Sequence, residues 1–138
     1  MNSFHLTVLG AEKPFFEGEC ESLVFPTTDG LAGVQAHHDN MITALVPGTL
    51  KFRTPDGKTT VAAVSAGMVK VENGEVLILT GTAERPEEID AARARREAEE
   101  AKEAMLQQQS IREYRLAEAR MARALSRLKV KKSVEDNT

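Results

Sequence analysis

Glycine and proline stop at Pro86. All nine glycines and all five prolines of the 138-residue chain lie at or before that position, and the stretch from Glu87 to Thr138 contains neither. These residues are the main interrupters of regular backbone, so the first part of the chain is punctuated by turns while the second can run as uninterrupted helix. The hydrophobic period changes at the same place. Through about residue 85 apolar side chains recur at every second position or in short β-branched runs; beyond it they recur at spacings of three and four.

Turn signals every eight to twelve residues in the first part are those of a small antiparallel sandwich or barrel. FHLTVLG alternates Phe4, Leu6 and Val8. MVKVENGEVLIL sets Asn73-Gly74 between two alternating runs, the pair that a type I′ hairpin turn demands. KFRTPDGKTTVAAV repeats the design around Pro55-Asp56-Gly57. The expected fold is therefore α+β, with an N-terminal antiparallel β-sandwich over residues 1–85 followed by a C-terminal antiparallel two-helix hairpin over residues 86–138.

In the second part, Pro86 is predicted at the first helical position, with Glu87, Glu88 and Asp90 at the positive end of the helix dipole. The segment Arg85–Gln109 holds almost no large apolar residue before Met105 and Leu106. Ser110 and Glu113 match a capping box, so a second helix is predicted from there to about Lys129, with Lys129, Lys131 and Lys132 near its negative end. Ala91, Ala94, Ala98, Ala101 and Met105 form one seam; Tyr114, Ala117, Met121, Ala124 and Leu128 form the other. At about 0.8 kcal/mol per buried methyl-sized group, four alanine contacts supply only a few kcal/mol, so the hairpin should close weakly. A turn centred near Gln108 would set Asp90 against Arg127, Glu97 against Arg120 and Lys102 against Glu118. Surface pairs of that kind stabilise little but report the register.

Net charge is −3, unevenly spread: residues 110–132 carry eight Lys or Arg against two Glu. That local cationic excess suits an acidic protein surface, a phosphate-bearing ligand or nucleic acid. Nucleic acid is disfavoured, because aromatics make up 4% of the chain and the basic residues interleave with seam residues. The single Cys20 excludes an internal disulfide and reads as an ordinary strand thiol. No apolar run reaches the roughly 20 residues of a membrane span, and no leader pattern opens the chain, so a soluble, intracellular protein is expected. It would reach a membrane only through another protein.

No phosphate loop, dinucleotide turn, zinc-protease helix or nucleophile elbow occurs. His37-His38-Asp39 is a weak metal candidate, since adjacent histidines on a strand point to opposite faces and only His5 remains as a further histidine; a surface loop is the better reading. One constellation has chemical content. Asp90 and Arg93 share a face of the first helix, and Arg123 and Arg127 share a face near the far end of the second. Closing the hairpin would gather one carboxylate and three guanidiniums, a set able to grip phosphate oxygens and a base or ribose without a phosphate loop. An intrahelical Asp90–Arg93 pair with cross-helix ion pairing is the structural alternative, and the residues alone favour it.

Residues 33–48, GVQAHHDNMITALVPG, resemble the loop and strand G-I-L-P-G-H-A-P-L-L-T-A-L-x-P-G of the epsilon subunit of bacterial F-type ATP synthases, with Gly33, His38, Thr43, Ala44, Leu45, Pro47 and Gly48 matching. The order of sandwich, I-D-x-x-R-A segment (Ile89, Asp90, Arg93, Ala94) and Ala-rich hairpin resembles the same family across essentially the whole chain. The resemblance implies a non-catalytic rotor subunit of the central stalk, peripheral at the cytoplasmic face of the bacterial membrane. It implies a sandwich that binds the gamma subunit and rests on the c-ring, with Leu31 and His38 in the ring-facing loop. It also implies a helical arm that permits turnover when folded and inhibits hydrolysis when extended along gamma towards the alpha and beta subunits.

In family members that bind ATP, the I-D-x-x-R-A segment takes part, which extends here to Ile89, Asp90, Arg93 and Ala94, with Arg123 and Arg127 as counterparts of second-helix arginines. No cofactor is expected other than ATP as a regulatory ligand. Arg120, Arg123 and Arg127 form the expected inhibitory basic patch. Ala36-His37 and Asp39-Asn40 stand where the family commonly has P-G and A-P, which implies an adjusted ring partner. An opening arm accounts for the alanine seams, because a ligand shifts an equilibrium by no more than its differential affinity. As one rod, residues 87–129 would reach about 65 Å at 1.5 Å per residue. The other readings are a free-standing nucleotide-sensing module and a sandwich scaffold with a helical adaptor arm.

Overall fold

The computed structural model describes residues 2–107 and 111–136, with side chains across 2–107 and 112–134. The chain divides into two compact units, Met1–Arg85 and Pro86–Thr138.

In the first unit ten strands make two five-stranded sheets. They are β1 (Phe4–Gly10), β2 (Pro14–Cys20), β3 (Ser22–Thr27), β4 (Gly30–Gln35), β5 (Met41–Leu45), β6 (Gly48–Arg53), β7 (Thr59–Val64), β8 (Gly67–Glu72), β9 (Glu75–Thr80) and β10 (Ala83–Glu84). One sheet has the order β2-β1-β9-β8-β5, the other β10-β7-β6-β3-β4. Alternation decides which side chains face inward: Phe4, Leu6 and Val8 from β1, Val69 and Val71 from β8, and Val76 and Ile78 from β9 meet Leu23, Phe25, Leu50, Phe52 and Val64 of the other sheet in one buried core. The Phe16 and Phe52 rings add a tilted contact with centroids 4.6 Å apart.

The pairing is antiparallel throughout, with one exception to the sequence expectation: β1 lies parallel to β9. Parallel neighbours need a long connection, and here almost the whole sandwich intervenes between the two strands. The Asn73-Gly74 hairpin forms as expected, with φ of 51° and 80° at its two central residues. At the other predicted turn Gly57 adopts φ 87°, and the Asp56 carboxylate accepts from the Thr54 hydroxyl and from Lys58 N at 3.1 Å. Those bonds hold the Asp56 pKa below its ordinary value, the Thr54 hydroxyl contributing most.

The TALVPG stretch is where the chain leaves one sheet for the other. Leu45 is buried, Val46 N donates to Pro26 O at 3.2 Å, and a Cβ at Gly48 would lie 2.8 Å from the Pro26 ring. That crossing explains why a proline-glycine pair follows an apolar strand here.

The second unit opens with a single 3-10 turn, Pro86–Glu88, followed by α1 (Ala91–Leu106) and α2 (Ile111–Asp136). The first α-helix therefore starts five residues later than Pro86. Asp90 is the reason: at φ −87°, ψ 100° it is extended, and its side chain accepts from Arg93 N at 3.0 Å as the cap of α1. A continuous helix from Pro86 would forbid that backbone conformation. The second helix also passes Lys129, so Lys129, Lys131 and Lys132 are interior to it. The expected turn at Gln108 and the Ser110 cap lie outside the described residues.

Both seams form as read. Ala94, Ala98, Ala101, Ala117 and Ala124 are buried, and Ala91, Met105, Tyr114, Met121 and Leu128 are half-buried. The seams do not account for Ser126 and Val130, which are also buried.

Candidate functional site

The register of the hairpin decides which charges meet. Arg127 Nη1 lies 3.5 Å from Glu97 Oε2, and Arg93 Nε lies 3.1 Å from Glu97 Oε1. Glu97 was expected opposite Arg120 and Arg127 opposite Asp90; the observed ion pair instead joins Glu97 to Arg127, the arginine one heptad beyond its expected partner. Asp90 spends its carboxylate on the α1 cap, bonding the backbone of Arg93 and not its guanidinium. The carboxylate set among the guanidiniums is therefore Glu97, which the sequence reading had placed one heptad away.

Arg120, Arg123 and Arg127 line one groove of about 360 Å³ with Glu97 and Glu100. Three guanidiniums against two carboxylates leave it cationic, and the planar forks of arginine suit phosphate oxygens. The Arg127 side chain is only 20% exposed, so its charge is less screened than that of Arg93, at 72%. Of the other expected residues, Ile89 and Ala94 are buried. They contribute shape beside the Asp90 cap and offer no polar side-chain group. Glu100 is the groove residue that sequence reasoning missed, while Glu97 was read only as a register partner of Arg120; their i, i+3 spacing on the same face as Arg93 was the available signal.

Among the described residues of the sandwich, Leu31 is the most exposed large apolar residue at 73%, on the sheet-edge strand β4. Ile42, at 68%, is its counterpart on β5, the edge of the other sheet. His38 is half-buried in the loop between them, its Nδ1 donating to Asp39 O at 2.7 Å. His37 beside it takes φ 66° and is exposed. Among the described residues no group of three His, Cys, Asp or Glu is placed to hold a metal ion. Cys20 is buried, donating to Ser22 O and Arg53 O, and burial pushes its thiol pKa up. Among the described residues no helix is long and apolar enough to cross a membrane.

The fold defines a two-part class of chain, a twin-sheet sandwich followed by an alanine-seamed helical hairpin. Residues 3–86 match the family of the ATP synthase delta/epsilon chain beta-sandwich domain, and residues 87–132 match its long alpha-helix domain. The chain is 41% identical to the ATP synthase epsilon chain of Caldanaerobacter subterraneus subsp. tengcongensis, covering 93% of both chains. It is 40% identical to that of Ruminococcus albus, covering 94% of this chain and 97% of the relative. With the epsilon chain of Nitrosospira multiformis identity is 31%, over 93% and 92%.

Among solved structures, a chain of the Euglena gracilis mitochondrial ATP synthase superposes with TM-score 0.77 at 25% identity, covering 96% of this chain and 81% of that one. A chain of the Tetrahymena thermophila mitochondrial ATP synthase shares the fold at TM-score 0.62 and 15% identity, over 92% and 95%. This chain belongs to the ATP synthase delta/epsilon chain family, on the epsilon side, and so is a non-catalytic subunit.

Proposed function

We propose that this subunit works in the central stalk as a rotor component, its sandwich joining the gamma subunit and the c-ring and its helical unit acting as a regulatory arm on ATP hydrolysis. The observation that carries this reading is the alanine seam. A helix pair whose fully buried seam positions are Ala94, Ala98, Ala101, Ala117 and Ala124 gains about 0.8 kcal/mol per methyl-sized group. A leucine seam would gain roughly twice that or more. Weak closure is what an arm needs if a ligand or a neighbouring subunit is to change its state.

The mechanism follows from charge and packing. In the closed arm Glu97 occupies Arg93 and Arg127. ATP, as a regulatory ligand, would compete for those guanidiniums and for Arg120 and Arg123, adding its binding energy to the closed form alone. When the arm opens, the same arginines become available to acidic surfaces of the alpha and beta subunits and restrain hydrolysis. Leu31 and His38, in and beside the β4 edge, are assigned to the c-ring. The exposure of Leu31 suits a partner loop that is apolar in part, and the polar residues around His38 suit a ring partner adjusted to them. The subunit is assigned to the cytoplasmic face of the bacterial membrane, held there by its partners.

The test is ATP hydrolysis by the assembled enzyme with the full chain or with residues 87–138 removed. Removal should raise hydrolysis at low ATP and leave assembly intact. Equal rates would overturn the regulatory role, and loss of assembly would move the arm's role to the stalk joint.

A further inference from the structure

Among the described residues three polar side chains are buried: Ser65 and Thr80, each 6% exposed, and Ser126, at 9%. The first two lie where the chain crosses from β9 of one sheet to β10 of the other, and both are bonded there. Ser65 Oγ accepts from Thr82 N at 2.8 Å, and Thr80 Oγ1 lies 3.0 Å from both Ser65 O and Thr82 O. Ser126 is different. Its Oγ is shielded from solvent and has no hydrogen-bond partner among the described residues. A serine within a helix usually points its hydroxyl to solvent or bonds the carbonyl four residues back, here that of Ala122. Ser126 does neither.

Its place on the helix sharpens the contrast. Ser126 stands two residues beyond the seam alanine Ala124, about 200° round the helix at 3.6 residues per turn, so it takes no part in the seam. Val130, four residues on and also buried, shares its face. The helix α2 is therefore covered on two sides, with Ala117 and Ala124 on the seam and Ser126 and Val130 on the other. An alanine or a valine in such a place is stabilised by burial, whereas an unpaired hydroxyl gives up its bonds to water and receives none in return. Uncovering the face restores those bonds. Val130 thus favours the covered state and Ser126 opposes it.

We propose that Ser126 is a built-in destabiliser of the folded helical unit, a buried hydroxyl whose unmet bond keeps the closed state of α2 close in free energy to the open one. The alanine seams make closure weak by leaving out apolar area; Ser126 weakens it further by adding a penalty that only a released helix escapes. The residue does this from outside the groove that Glu97 and the arginines line. Its bearing on ATP hydrolysis rests on the regulatory reading above; the penalty of burying Ser126 does not.

Amide hydrogen exchange on the full-length free subunit tests it. Ser126→Ala should slow exchange of the Ala124 and Leu128 amides at least about fivefold, the low end of what an unsatisfied buried hydroxyl costs. Part of any serine-to-alanine gain is helix propensity. Ala122→Ser, at an exposed position one turn earlier in the same helix, measures that part alone. The slowing in Ser126→Ala should exceed the acceleration in Ala122→Ser severalfold. Ser126→Thr, which keeps the hydroxyl, should show no slowing. Exchange in Ser126→Ala that is as fast as in the parent, or slowed no more than propensity explains, overturns the proposal, since the hydroxyl would then be satisfied. In the assembled enzyme Ser126→Ala should also weaken inhibition of hydrolysis. Unchanged inhibition, in an enzyme that deletion of residues 87–138 does activate, would overturn the residue's part in the balance. Should that deletion leave hydrolysis unchanged while exchange slows as stated, Ser126 remains a destabiliser of the folded unit and only the arm's regulatory role falls.

Discussion

Glu97 bridges two arginines, with Arg93 one turn along its own helix and Arg127 across the hairpin, at 3.1 and 3.5 Å. The bridge sits in the groove that Arg120 and Arg123 also line. Its stabilising effect is small, because the Glu97 side chain is 37% exposed and such pairs contribute about 0–1 kcal/mol. Its chemical role is larger, since it is the internal competitor for any phosphate. Glu97→Gln should leave thermal unfolding of the hairpin nearly unchanged and tighten ATP binding severalfold in a calorimetric titration. Weaker binding, or none in either protein, would remove ATP from the groove.

The alanine seam makes a prediction about balance. Ala101 is fully buried. Ala101→Gly removes one methyl and adds helix-backbone entropy, together about 1–2 kcal/mol. That is a large fraction of a seam contributing only a few kcal/mol. The variant should lose helical signal at a lower temperature than the parent, with the sandwich transition unmoved, and should inhibit hydrolysis more strongly in the assembled enzyme. Unchanged inhibition would mean that seam strength does not set the arm's state.

Replacing Arg120, Arg123 and Arg127 together with Ala should weaken inhibition of hydrolysis, because the cationic face that an extended arm would offer to acidic subunit surfaces is gone. Steady-state hydrolysis by the reconstituted complex reads this directly. A triple variant as inhibitory as the parent would dismiss the patch.

The turn at Asp56 gives a pH test in the other unit. Its carboxyl titrates below the ordinary range because the Thr54 hydroxyl and Lys58 N bond the ionised form. A depressed folded pKa contributes stability that is present above the unfolded value of about 3.9 and is lost as pH falls through the folded one. Carboxyl NMR titration should show Asp56 among the last carboxyls to protonate on acidification. Thr54→Val should move it back towards the ordinary value, and an unshifted Asp56 in the parent would contradict the bonded turn.

Local patterns carried most of the fold. Phe4, Leu6 and Val8 alternate in the sequence and are buried in the structure, and Asn73-Gly74 made its hairpin because few other pairs tolerate two positive φ angles. The alanine seams were legible for the same reason, as a helix brings residues three and four apart onto one face. The I-D-x-x-R-A segment was legible as a motif, but its Asp90 turned out to be a helix cap, a role that depends on where the helix begins.

What the sequence by itself determined is the identity of the elements and the faces they bury, because those follow from periodicity and backbone sterics within a few residues. Register and pairing were decided only by tertiary structure. Arg120, Arg123 and Arg127 all line the groove beside Glu97, and which of these long side chains pairs with it depends on packing that periodicity does not encode. The parallel β1–β9 pair is likewise invisible locally, since its residues lie almost a whole sandwich apart in the chain. Likewise, Ser65 has no local reason to meet Thr82; the crossing between the sheets brings them together.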